Sequence, residues 1–316
     1  MRLNIKDRKV LAELDKNARI SCAQIGRKVG LSLEVVNYRI KKLEKLGIIS
    51  KYQTVVNYAK LGLIHFKICL KFNGLSLQEE EKLYKKLGSI KEVIWLVKCQ
   101  GDWDCMISCT VEDYSEIDLI KDKIVSIAHK HILDKTVSFS SEIWSFTRGY
   151  LSNEQHKKFD MVSGNKLRLD KIDIKILRLL ADNSRMSIIN LATKSNTTIK
   201  VVSTRLKKLL KEKILSYRIL LDYEKANINF FKVLIYLKDT KSERLNSLID
   251  ELHSNPHIIF NLKVIGEWEF ESEFEFENES DFKKFIQDLL NKHNNIIKRI
   301  SIIDIIKEYK YPLFSK

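Results

Sequence analysis

The chain has 316 residues, of which 44% are hydrophobic and 31% are charged, and its formal net charge is +15. This composition excludes an intrinsically disordered chain and favours a globular protein with several hydrophobic cores. No apolar run approaches the roughly 18 residues that a membrane helix needs, and no hydrophobic signal segment follows Met1, so we expect a cytoplasmic protein without a membrane partner.

The positive charge is concentrated in two segments. Residues 1–60 contain 14 Lys and Arg against 5 Asp and Glu, and residues 166–225 contain 15 against 6, so each segment carries +9. The rest of the chain therefore carries −3. A generally lysine-rich composition would spread the charge evenly, whereas this distribution favours two polyanion-binding modules, each joined to a nearly neutral module.

The first basic segment has the pattern of a helix-turn-helix. Apolar residues at helical spacing predict a helix from Ile5 to Leu14, and Ser21 is placed to cap a second helix. Gly30 supplies a left-handed turn before a third helix around residues 36–43, and the extended stretch 50–57 would form a wing. The candidate DNA-binding residues of the third helix are Ser32, Glu34, Asn37, Tyr38, Arg39, Lys41 and Lys42.

Beyond residue 60 the pattern changes to short strands and two helices. The order βαββαβ predicts a ferredoxin-like sheet with both helices on one face, so a second sheet of the same chain is expected to cover the other face. The predicted strands are 66–72, 93–99, 105–111 and 137–144, and the predicted helices are 78–87 and 114–129.

All the cysteines fall in this first half: Cys22, Cys69, Cys99, Cys105 and Cys109. They have no counterparts later in the chain, so we expect reduced thiols rather than a disulfide framework. The spacing of the last three matches no standard zinc pattern and is explained by alternating strand positions. We predict no metal and no cofactor.

The same organisation then returns. Residues 7–21 recur at 173–187, 166 residues later, and residues 101–104 recur at 266–269, 165 residues later. So small a drift indicates a duplicated two-part unit. We predict an α+β chain with winged helix-turn-helix domains at 1–60 and 167–225, ferredoxin-like domains at 61–150 and 226–316, and a linker at 151–166.

The second basic segment differs from the first on the face that would meet DNA. Asn196 replaces the turn glycine, and asparagine is the residue that, after glycine, best tolerates a positive φ. Because their exposed faces differ, the two third helices should prefer different half-sites. The alternative is that each trihelical unit is purely structural and that its charges are only solvated. The candidates here are Thr198, Lys200, Ser203, Thr204, Arg205, Lys207 and Lys208.

The second neutral segment repeats the strand and helix order. Its glutamates at 271, 273, 275 and 277 alternate with other residues at period two, which predicts that they line a solvated face. The predicted strands are 231–237, 258–265, 271–276 and 300–306, and the predicted helices are 243–253 and 280–292.

A glycine-acid hairpin connects the two central strands of each copy. It is either a plain turn in which glycine adopts a positive φ, or an effector pocket in which backbone amides and a carboxylate hold a small ligand. The spacing of these residues does not distinguish a plain turn from an effector pocket. The candidate effector residues are Gly101, Asp102, Trp103 and Asp104, and Gly266, Glu267, Trp268 and Glu269.

These segments, in this order, resemble the Lrp/AsnC family of leucine-responsive, or feast/famine, transcription regulators. The resemblance implies binding of double-stranded DNA, dimerisation through the ferredoxin-like domains, and modulation by an amino acid bound near the hairpin. The matching segments are Asp7–Leu11, Ala18–Ser21, Val29–Ser32, Arg39–Glu44, Gly47–Ile49, Asp170–Asp173 and Gly101–Asp104.

The chain departs from this family by containing two units. We expect residues 61–148 and 226–310 to pack face to face as an internal pseudo-dimer, with further homo-oligomerisation left open. The two third helices would then face successive major grooves, about 34 Å apart, on an asymmetric operator. Glutamates at 267 and 269 replace both hairpin aspartates, which weakens an effector role in the second copy.

Two other functions compete with a DNA-binding regulator. Siroheme decarboxylases have a similar build, but they need histidine and arginine around a tetrapyrrole, and residues 95–98 and 260–263 offer no histidine. The other alternative is a small-molecule sensor that no longer binds DNA. We expect a regulator and not an enzyme.

Overall fold

The computed structural model describes residues 3–152, 156–161, 168–238 and 242–310. Nowhere in these ranges is a helix both long and apolar enough to cross a bilayer. Of the predicted linker, residues 153–155 and 162–167 lie outside the described residues.

Both copies have the same order of elements, and their barrel strands begin 165 residues apart. In the first copy these are α1 (Ile5–Lys16), α2 (Cys22–Val29), α3 (Leu33–Lys45), β1 (Ile49–Val56), β2 (Ile64–Phe72), α4 (Leu77–Gly88), β3 (Val93–Gln100), β4 (Cys105–Val111), α5 (Ser115–Ala128) and β5 (Ile132–Phe146), followed by the short β6 (Lys158–Asp160). In the second copy they are α6 (Lys171–Asp182), α7 (Ile188–Ser195), α8 (Ile199–Lys211), β7 (Leu215–Leu221), α9 (Tyr223–Ala226), β8 (Asn229–Leu237), α10 (Ser242–Ser254), β9 (Ile258–Ile265), β10 (Phe270–Phe276), α11 (Glu279–Lys292) and β11 (Ile297–Lys310).

The stretch predicted as a wing forms β1, which pairs antiparallel with β7 of the other copy rather than within its own module. Gln53 lies opposite Arg218, the same position of the repeat. Thr54 and Val56 are fully buried beneath this two-stranded ribbon. The described part of each trihelical module contains no second strand, and within it the extended segment is paired by its counterpart.

Reciprocal contacts then join the two trihelical modules into one head. The guanidinium of Arg19 donates to the carbonyl of Met186 at 2.8 Å, and that of Arg185 donates to the carbonyl of Ala18 at 2.7 Å. Arg185 also lies over the ring of Tyr52, 4.3 Å from its centroid. Residues of both modules form a single hydrophobic core with the ribbon, so the two helix-turn-helix units cannot move independently.

The ferredoxin-like halves form one closed barrel. The strands follow the order β2, β4, β3, β11, β8, β10, β9 and β5, and β5 pairs with β2 to close the ring. β5 has 15 residues and β11 has 14, longer than predicted, because each continues from its own sheet into the other. The helices α4 and α5 cover one half and α10 and α11 the other, which confirms the predicted fold class.

The prediction of a solvated face for the β10 glutamates is also wrong. Glu271 and Glu275 are completely buried, because the opposite half of the barrel covers that face. Glu271 pairs with Lys67 of the first copy and with Lys232 of the second. Burial raises the pKa of Glu271, but the two ammonium groups outweigh burial and bring it down to about 2.

A second buried network anchors the head to the barrel. Arg148 binds Asp15 of α1 at 2.6 Å and Glu275 of β10 at 2.7 Å, and Arg218 of the ribbon reaches Asp15 at 3.1 Å. Burial raises the pKa of Asp15, while Arg218 and Arg148 together hold it below its usual value. Ala181 stands where the second copy would have its aspartate, so the anchor exists on one side only.

Replacing Asp15 should therefore destabilise the protein strongly. Asp15→Asn leaves two buried guanidinium groups short of negative charge, and we expect a loss of about 3–5 kcal/mol in the free energy of unfolding at pH 7. The difference from the wild type should shrink as the pH falls below about 4, because the lowered pKa of Asp15 contributes stability only above that range.

Urea unfolding at several pH values measures this effect, and Asp118→Asn is the matched control. Asp118 pairs with Lys121 on the surface and its side chain is 81% exposed, so its substitution should leave the unfolding midpoint nearly unchanged. Equal effects of the two substitutions would show that the anchor does not stabilise the fold.

Candidate nucleic-acid interface

The two third helices, α3 and α8, begin with the same local geometry. Gly30 and Asn196 end the preceding helices with φ of +70° and +53°, as predicted for the turn. Ser32 and Thr198 then cap the next helices, each accepting from a backbone N–H at 3.3 Å. Both hydroxyl groups predicted to meet DNA thus first serve to start the helix.

Each helix buries one face in the head and leaves the other open. Val36, Ile40 and Leu43 of α3 are buried, as are the corresponding Val202, Leu206 and Leu209 of α8. Of the predicted DNA-binding residues, the exposed ones are Ser32, Glu34, Tyr38, Lys41, Thr198, Lys200, Thr204, Lys207 and Lys208, and the half-buried ones are Asn37, Arg39, Lys42, Ser203 and Arg205.

Arg39 and Arg205 have partners within the head. The guanidinium of Arg39 donates to the buried carboxylate of Asp7 at 2.6 Å, and that of Arg205 donates to Asp173 at 3.1 Å and pairs with Asp170 at 2.7 Å. In both copies, an ion pair thus joins the third helix to the first. We therefore place these two arginines among the residues that position α3 and α8.

Leu33 and Ile199 are not among the DNA-binding residues that the sequence predicts. They occupy the same position, the first turn of each third helix, and their side chains are 49% and 52% exposed. About half of each side chain is therefore open to solvent. The available signal was an apolar side chain in both copies at a position outside the buried stripe of the helix.

The first hairpin is held by bonds to its own sheet. The Asp104 carboxylate accepts from the backbone N–H of Phe72 at 2.8 Å and pairs with Lys71. Asp102 pairs with Arg299 at 3.2 Å, and Gly101 has a φ of +137°. The carboxylates of this predicted effector site therefore have partners within the chain.

The second hairpin shares one of these bonds. Glu269 accepts from the backbone N–H of Leu237 at 2.7 Å, which is the position equivalent to Phe72. Trp103 and Trp268 are buried between the two halves of the barrel, with ring centroids 6.5 Å apart. Glu267 is exposed beside Gly266. These contacts are those of structural turns.

A double-mutant cycle tests the positioning role of Arg39. Arg39→Gln and Asp7→Asn should each destabilise the protein, and the double variant should recover about 2 kcal/mol relative to the sum of the single changes. The same cycle on Arg205 and Asp173 provides the second-copy comparison. Urea unfolding gives the coupling energy; a coupling near zero would contradict the structural role.

Comparison with known proteins agrees with this architecture. A family model described as winged helix-turn-helix DNA-binding matches residues 3–50 and 169–215. The proline dehydrogenase transcriptional activator of Rhodobacter capsulatus is 30% identical over 129 residues, which span 40% of this chain and 84% of that protein. An HTH-type transcriptional regulator of Pyrococcus furiosus is 33% identical over 124 residues, 37% of this chain and 77% of that protein.

Solved structures of a single protein chain match both copies together. The crystal structure of the siroheme decarboxylase NirDL has a TM-score of 0.61 and 11% identity, covering 96% of this chain and 92% of that chain. At this identity the match establishes a shared fold alone. Since the regulators match at 30% identity or more over most of their own length, the chain belongs to the Lrp/AsnC family of transcription regulators, as a form with two helix-turn-helix units in one polypeptide.

Proposed function

We propose that the protein is a sequence-specific DNA-binding regulator whose two third helices bind different half-sites of one asymmetric operator. The observation that carries this proposal is the rigid head. α3 and α8 leave lysine-bearing faces open, and their modules share one core and one ribbon. Their relative placement is therefore fixed before any DNA is bound, which lowers the entropic cost of engaging two grooves.

Comparison of the two helices separates contacts to phosphates from contacts to bases. Lys41 and Lys42 correspond to Lys207 and Lys208, and both pairs lie toward the C-terminal half of the helix. None of these four lysines makes an ion pair with a residue in the described ranges. We assign them to the phosphate backbone, where contacts fix the register without reading sequence.

The positions that differ are assigned to base edges. Glu34, Asn37 and Tyr38 of α3 correspond to Lys200, Ser203 and Thr204 of α8. Tyr38 is 66% exposed, and its counterpart Thr204 has a much smaller side chain. Leu33 and Ile199 are placed to contact thymine methyl groups or sugars at the same step of each half-site. The half-sites should share a backbone footprint and differ in sequence.

The first experiment removes one pair of lysines at a time. Lys41→Ala with Lys42→Ala, or Lys207→Ala with Lys208→Ala, should each reduce the slope of log affinity against log salt by about 2, because two phosphate contacts are lost. Fluorescence anisotropy with the selected operator at several salt concentrations measures the slope.

Lys85→Ala with Lys86→Ala is the control for net charge. This consecutive pair is exposed on α4 of the barrel, so it removes the same two charges at a distance from the head. Its slope should remain that of the wild type. Equal slopes for all three variants, or no salt-dependent DNA binding by the wild type, would contradict the proposal and favour a sensor that does not bind DNA.

The second experiment converts the first helix into the second. Glu34→Lys, Asn37→Ser and Tyr38→Thr together give α3 the base-facing residues of α8. Selection of bound sequences from a random library should then change from an asymmetric operator to one with two inverted copies of the second half-site. An unchanged operator would show that these residues do not read bases.

A siroheme decarboxylase activity is the second candidate function, because the fold match to NirDL extends over 96% of this chain. The cations nearest a central cavity are already engaged, since Arg148 binds Asp15 and Glu275. Burial lowers the pKa of His65 to about 3, with a further lowering by Lys67, so this histidine is uncharged. A Soret band retained after mixing with siroheme and gel filtration would favour the enzyme; its absence favours the regulator.

A further inference from the structure

A cavity of about 110 Å³ lies between the ribbon of the head and the open end of the barrel. Gln53 and Arg218, which face each other in the ribbon, both line it. Because these two residues occupy the same position of the repeat, the cavity lies on the pseudo-two-fold axis that relates the two copies.

The two copies have diverged where they line this cavity. Gln53 faces its equivalent Arg218, Ser108 is the equivalent of Glu273, and Ile143 is the equivalent of Glu308. In a dimer of identical units each of these groups would occur twice across the axis. The fused chain instead has both acidic groups on the second copy alone, so the cavity can bind a ligand with two unlike ends.

Two side chains in this cavity can accept a further hydrogen bond: Gln53, which is buried, and Glu308, which is half-buried. Gln53 is 5% exposed, and its side-chain oxygen accepts no hydrogen bond from any residue within the described ranges. Glu308 accepts from the indole N–H of Trp95 at 2.9 Å, but it has no cationic partner within 4.0 Å in the part of the chain that is described. Burial raises the pKa of Glu308 to about 7, Trp95 lowers it, and the carboxylates of Glu273 and Glu275 raise it.

The cations near the cavity are already neutralised. Lys67 and Lys232 share Glu271, Lys232 also binds Glu273, and Arg218 binds Asp15. The unmet demand is therefore for hydrogen-bond donors and positive charge. His65, Lys67 and Arg148 also line the cavity, and its apolar wall includes Trp95 and Phe260 at equivalent positions of the two copies.

We propose that this cavity binds a small primary ammonium compound with a compact apolar body, whose ammonium group contacts Glu308 and Gln53. An engineered cavity of about 150 Å³ accommodates benzene, so a ligand here has a handful of non-hydrogen atoms. A tetrapyrrole is far too large. A free carboxylate on the ligand would lie close to Glu273 and Glu308, which disfavours an amino acid relative to the corresponding amine.

Three probes that share one carbon skeleton test this proposal with the full-length protein. Isobutylamine carries the ammonium group alone, valine adds a carboxylate to it, and isovalerate carries a carboxylate alone. The readout is the indole N–H signal of Trp95 in a spectrum of ¹⁵N-tryptophan-labelled protein, assigned with Trp95→Phe. Isobutylamine should shift this signal saturably, with a dissociation constant below about 10 mM, and isovalerate should not.

Two variants locate the ammonium group. Glu308→Gln should weaken isobutylamine binding at least tenfold, and Gln53→Met should weaken it several-fold without changing the size of the side chain. Glu142→Gln, on β5 outside the cavity, should bind as the wild type does. Glu308→Gln removes a half-buried charge that has no cationic partner within the described residues, and so should not prevent folding.

The result is independent of DNA binding, because no DNA is present. No saturable shift with isobutylamine would overturn the proposal, and so would preferential binding of valine or isovalerate. Binding that is unaffected by Glu308→Gln would overturn it as well. A protein that fails to bind DNA but binds isobutylamine would refute the proposed regulator and leave this site in place.

Discussion

Each copy of the repeat leaves strand edges open, and the other copy closes them. β5 pairs with β2 of its own half through residues 132–139 and then with β9 of the other half through 139–145. β11 does the same between β8 and β3. An unpaired edge exposes backbone N–H and C=O groups that must find partners, so this exchange closes the barrel and, through β1 and β7, the head. The fixed placement of the third helices follows from it.

The sequence was sufficient wherever structure depends on local chemistry. The cap at Ser21, the left-handed turn at Asn196 and the bounds of β4 and β9 all agree with the patterns that predicted them. These features depend on side-chain hydrogen bonds, glycine or asparagine conformation, and runs of β-branched residues within a few positions of one another.

What the sequence could not predict depends on the other copy. The pairing of β1 could not be predicted because its partner strand lies more than 150 residues away. The β10 glutamates alternate as a solvated face would, and Lys67, Lys232 and Arg148 make their burial tolerable. Arg39 lies on the outward side of its helix in any helical projection, yet Asp7 reaches it from another helix. Periodicity reports which residues share a face, but not what covers that face.

Fusion of the copies removes the requirement that both sides of the axis be chemically identical. The two copies differ in three places: the open faces of α3 and α8, the anchor through Asp15 and Arg148, and the cavity at Gln53 and Arg218. A homodimer could acquire none of these, because every substitution would appear twice.

The cavity and the anchor also have a mechanical relation. Arg218 belongs to the ribbon, lines the cavity and binds Asp15, so the wall of the cavity and the anchor share a residue. The third helices share the core of that ribbon and must move with it. A ligand changes the position of the head only to the extent that it binds one arrangement of ribbon and barrel better than another.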